Sequence, residues 1–133
     1  MKTIVLEGGS NTGKTVTLDL LFEKLRQRSN RVLFLRQLGG DPKDKLSIVE
    51  IKEKTIGICS MGDYPSLIPF FSGFLIGREC DIIVIANSCK RIPNCVKEQL
   101  GDVLTIKKTE ASDRDNLSVL NELMRIIFEI SHK

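Results

Sequence analysis

Residues 3–7 read Thr-Ile-Val-Leu-Glu, and residues 8–15 continue Gly-Gly-Ser-Asn-Thr-Gly-Lys-Thr. The first run is short, apolar and β-branched, which predicts a buried strand. From Lys14 the spacing turns helical: Leu18, Leu21, Phe22 and Leu25 recur on one face, with Asp19, Glu23, Lys24 and Arg26 on the others. The unit is therefore strand, glycine-rich turn, helix. Its turn meets G-x-x-x-x-G-K-[ST] at every fixed position. Glycines let the backbone wrap so that successive N–H groups point inward, and the following helix adds the positive end of its dipole. Such a stretch suits phosphate groups held by Gly8, Gly9, Ser10, Asn11, Thr12, Gly13, Lys14 and Thr15. In that reading Lys14 reaches the β- and γ-phosphates, and the Thr15 hydroxyl joins the shell of a Mg²⁺ ion. The plain alternative is a glycine-rich turn with a solvated lysine.

Outward from this unit, residues 32–36 (Val-Leu-Phe-Leu-Arg) predict a second buried strand. It would close a β-α-β unit with parallel strands and a right-handed crossover. The β-branched runs 47–51 and 55–60 are joined by only Lys52, Glu53 and Lys54, too short for a crossover helix, so they predict an antiparallel hairpin. A helix is expected from near Ser66, with Pro69 in its first turn and Gly77 as its stop. Residues 81–86 (Asp-Ile-Ile-Val-Ile-Ala) form the clearest central strand, followed by a short helix over 93–100 and a strand over 103–107. Ser112 with Asp115 three residues later reads as a capping box opening the last helix.

With these elements placed, the sequence resembles the P-loop NTPase superfamily. Residues 4–15, the helix over 18–25 and then Val32 to Pro42 are similar to the opening of thymidylate-kinase-type nucleotide kinases. In those enzymes an E-G-x(4)-G-K-[ST] loop precedes a strand ending in an R-E-P-G-G-T-like turn. The resemblance implies that Arg36 matches the arginine of that turn, near a monophosphate acceptor; a solvated arginine at a strand end is the other reading. The D-R-[YHF] stretch and arginine-rich lid of those kinases do not occur in the chain. Water is therefore the default phosphoryl acceptor.

Mg²⁺ at such a loop normally calls for a second carboxylate at a neighbouring strand end. Asp63, in Met61-Gly62-Asp63 just past the 55–60 run, is the candidate for both metal binding and catalysis. A turn aspartate without a metal role is the rival reading. The 81–86 strand leads instead into Asn87, which has no charge to offer a cation. Lys90 or Arg91 are candidates for neutralising phosphate charge, and Glu7, Asp41 and Glu110 for a base or water-positioning group. No Asn/Thr-Lys-x-Asp order follows the central strand, so guanine specificity is not supported.

Composition narrows the remaining classes. The 133 residues carry 28% charged and 41% apolar residues, which fits one domain spanning 1–133. A formal charge of +3 without basic runs, no Trp and a single Tyr argue against a nucleic-acid binder. Four irregularly spaced cysteines and one histidine, His132, argue against structural zinc. The short N-terminal apolar run is no signal peptide, which leads us to expect a cytoplasmic setting with buried free thiols. Leu67 to Ile76 is too short for a membrane span. The expectation is an α/β chain with a three-layer P-loop NTPase fold, a mainly parallel sheet with one antiparallel hairpin, and helices on both faces. It would bind and hydrolyse a nucleoside triphosphate, ATP with Mg²⁺. The alternatives are a small phosphotransferase, or a nucleotide-gated switch or assembly subunit whose site a protein partner completes.

Overall fold

The computed structural model describes residues 2–9, 12–38, 44–60, 68–87, 98 and 102–131, with backbone only at 68–72 and 131. In chain order these form β1 (Lys2–Glu7), α1 (Lys14–Arg28), β2 (Arg31–Gln37), β3 (Lys45–Ile51), β4 (Lys54–Cys59), α2 (Ile68–Gly77), β5 (Ile82–Asn87), β6 (Asp102–Lys107) and α3 (Asp113–Ser131). The expected helix over 93–100 lies outside the described residues.

The six strands make one sheet in the order β2-β3-β4-β5-β1-β6. β1 pairs in parallel with β5 and β6, and β4 with β5, whereas β3 is antiparallel to both β2 and β4. The sheet is thus mostly parallel, and the 47–60 hairpin is present, turning at Lys52 and Glu53 with Lys52 left-handed at φ 55°. Two expectations about β2 fail. It does not pair with β1 to close a β-α-β unit, because β3, β4 and β5 stand between them. Nor is it buried: only Phe34 is even half-buried, while Val32, Leu33 and Leu35 are exposed. An edge strand has one ladder partner, and the α1 side chains in the core pack on β3, β4, β5 and β1 rather than on β2.

Side chains alternate across a strand, so the central strands feed two apolar clusters. On one face Ile4, Leu6, Ile56, Ile58, Ile82 and Val84 meet Leu18, Leu21 and Leu25 of α1 and Leu120, Leu123 and Ile127 of α3. On the other, Val5, Ile48, Ile83 and Ile85 meet Leu75 of α2 and Cys80. Each fully buried Leu or Ile contributes about 1.5–3 kcal/mol. α2 also reaches the edge: the Phe74 and Phe34 rings lie 5.0 Å apart, and the Arg78 guanidinium sits over both. α2 ends at Gly77 as expected, but Glu79, at φ 57°, takes the left-handed position after it. Among the described residues no helix is long and apolar enough to cross a membrane.

Candidate functional site: the loop between β1 and α1

Parallel strands all deliver their carboxyl ends to one edge of a sheet, where α/β proteins form their crevices. β1 does so between two neighbours, and both hold the root of the loop. The Gly8 N–H donates to the Asn87 carbonyl at 3.1 Å, and the Lys108 N–H donates to the Glu7 carbonyl at 2.7 Å. Asn87, read from sequence as merely lacking charge, is a buried partner of Glu7 in the ladder.

The loop enters α1 through Gly13, whose φ of 83° is left-handed and favours glycine. Glycine carries no capping side chain, and the first turn of α1 has no acidic residue. α3 is built the other way. The Asp115 N–H donates to Ser112 Oγ at 3.2 Å, and Asp113 and Asp115 fill the first turn. That is one arm of the expected capping box; the Asp115 carboxylate instead holds Lys108.

Lys14 is buried, with its side chain bent back over the loop, and Nζ donates to the carbonyls of Gly8 and Gly9, each at 2.7 Å. Thr12 Oγ1 donates to the Gly9 carbonyl at 2.8 Å. Thr15 Oγ1 donates to the Ser60 carbonyl at 3.2 Å, so the first turn of α1 touches the end of β4. These contacts bring Gly8, Gly9, Thr12 and Lys14 together, and Gly13 and Thr15 flank Lys14 in the chain. Ser10, Asn11 and Asp63 lie outside the described residues, as do Asp41, Lys90 and Arg91. Arg36 is exposed on β2, four strand spacings or about 19 Å from β1, and is not brought to the loop.

Three supporting residues had no sequence signal. Lys108 is buried, with Nζ donating to the Glu110 carbonyl and the Asp115 carboxylate. Its own carbonyl fills the space where a Gly8 side chain would go. Asn116, buried on α3, lies against Gly13, and its Oδ1 is 3.3 Å from Thr17 Oγ1. Ser60 is buried at the end of β4. All three act across long sequence separations, which neither periodicity nor motif spacing encodes.

Between the loop (Glu7, Gly8, Gly9, Thr12) and the end of β6 (Lys107 to Thr109) runs an open groove of about 350 Å³. That volume is at the lower end of small-molecule sites. Among the described residues no group of three His, Cys, Asp or Glu side chains stands close enough to hold a metal ion. Thr15 Oγ1 is nonetheless a hard oxygen donor, the type that Mg²⁺ accepts beside water and phosphate. No family model, curated protein or solved structure matches the chain, and the geometry itself is what bears on function.

Proposed function

We propose that this chain binds a nucleoside triphosphate, ATP, with Mg²⁺ at the β1–α1 loop and hydrolyses it as a minimal P-loop NTPase with the three-layer arrangement of that superfamily. The observation that carries the reading is Lys14. Its buried ammonium donates to the Gly8 and Gly9 carbonyls of the loop, at the mouth of a helix with no acid in its first turn. Lysine charge, helix dipole and glycine backbone converge there, a combination that favours polyphosphate.

In this reading Lys14 turns from the Gly8 and Gly9 carbonyls to the β- and γ-phosphate oxygens. The backbone from Gly8 to Thr15 holds the remaining oxygens. Thr15 and, from outside the described residues, Asp63 would hold Mg²⁺. When bound, that ion would supply charge neutralisation at the phosphates. The chain's own contribution is positioning and fixed electrostatics. The groove beside β6 offers space for the nucleoside.

The test incubates wild type and Lys14→Ala with labelled ATP and Mg²⁺, with and without a mixture of nucleosides, nucleotides and sugars. Phosphate release that the variant loses supports the hydrolase, whereas a labelled acceptor identifies a phosphotransferase. Tight binding without turnover identifies a nucleotide-gated switch. Equally negligible ATP and GTP binding by both proteins overturns the reading.

A further inference from the structure

We propose that Ser60 is a positioning residue for the cation site: it aims the Thr15 hydroxyl, and the β3–β4 hairpin is what holds it in place. This rests on reading the loop as a Mg²⁺–nucleotide site. A hydroxyl has one proton and two lone pairs. Thr15 commits its proton to the Ser60 carbonyl at 3.2 Å, which leaves the oxygen lone pairs directed away from β4 and available to a cation.

Ser60 is held in turn. Its N–H donates to the Lys45 carbonyl at 3.0 Å, and the Lys45 N–H donates to Ser60 Oγ at 2.8 Å. Ser60 Oγ also lies 3.3 Å from the Lys45 carbonyl. Lys45 Nζ pairs with Asp19 at 2.6 Å and sits 5.2 Å from the centre of the Phe22 ring. Asp19 lies one helical turn beyond Thr15 on α1, so the contacts form a ring: Thr15, Ser60, Lys45, Asp19 and back along the helix. Ser60 is only 2% exposed, so water is poorly placed to replace a lost bond. Mg²⁺ demands near-ideal octahedral geometry, so a small shift of the Thr15 oxygen penalises metal-linked binding more than phosphate binding alone.

The experiment titrates a non-hydrolysable ATP analogue into wild type and Ser60→Ala by calorimetry, once with Mg²⁺ and once with EDTA. Affinity in EDTA should agree within about twofold, while the tightening produced by Mg²⁺ should fall about three- to tenfold in the variant, the worth of one net hydrogen bond. Ser60→Cys, which offers only a weak acceptor, gives the same readout should the alanine variant not fold. Asp19→Asn, which loosens the ring at a partly exposed position, should show a smaller loss of the same kind. An unchanged Mg²⁺ effect in the folded variants overturns the proposal. So does an equal loss with and without Mg²⁺, which marks a merely structural role. Absence of analogue binding by wild type instead overturns the nucleotide reading itself, and this inference falls with it.

Discussion

Asn116 Oδ1 stands 2.5 Å from the point where a Cβ on Gly13 would sit, and Gly13 is itself left-handed. The last helix thus occupies the side-chain space of the residue that opens the first. Gly13→Ala combines a left-handed alanine, about 1–2 kcal/mol, with overpacking of about 1–3 kcal/mol. We expect a loss of about 2–5 kcal/mol in urea unfolding and a drop in nucleotide affinity. Adding Asn116→Ala should recover the packing part and leave the backbone part. Full recovery would show that the left-handed backbone costs nothing.

The Lys108–Asp115 pair is asymmetric. Lys108 has no exposed side-chain surface, whereas the Asp115 side chain keeps 28% of its own. Removing the carboxylate charge leaves a fully buried ammonium with only neutral acceptors, whereas removing the lysine leaves a carboxylate that water still reaches. Asp115→Asn should therefore cost more than Lys108→Met, about 3 kcal/mol against about 1–2. The opposite order in chemical denaturation would reject this account.

β2 and β4 carry similar apolar runs but differ in burial. Leu35 is 52% exposed and Ile58 is 1% exposed. Leu35→Thr should change stability by no more than about 0.5 kcal/mol, and Ile58→Ala should cost about 2–5 kcal/mol. Comparable costs for the two would mean that Leu35 is covered in solution.

Burial, then the neighbouring Asp81 carboxylate, pushes the Cys80 thiol up from 9.0 to about 11, against a smaller lowering by Arg78. The unfolded thiol ionises first as pH rises, so this group's contribution is whole below pH 9 and is lost as pH approaches 11. Stability should fall across that window, and Cys80→Ala should flatten the fall. An unchanged slope in the variant would place the loss in other groups.

How much was legible beforehand follows the range of each interaction. Local signals performed well: the apolar run of β1, the period of α1, the short link between β3 and β4, and Ser112 before α3 each sit where the sequence places them. Gly8, Gly13, Lys14 and Thr15 meet in one turn because their spacing is itself the local geometry. Strand neighbours were another matter. The run Val32 to Arg36 reads as core, yet it is an edge, because its environment is set by β3 on one side and solvent on the other. Asp115 reads as half of a capping box, yet its carboxylate serves Lys108.

By itself, then, the sequence determined which of the described segments become strands and helices and where the glycine-rich turn between β1 and α1 lies, since dihedral preference and apolar period act over a few residues. Only the tertiary structure decided that β5 separates β4 from β1, that Lys108 and Asn116 close in behind the loop glycines, and that Ser60 receives the Thr15 hydroxyl. Those contacts join residues tens of positions apart. They are selected by how the sheet and its helices bury their faces together, which no local stretch of chain records.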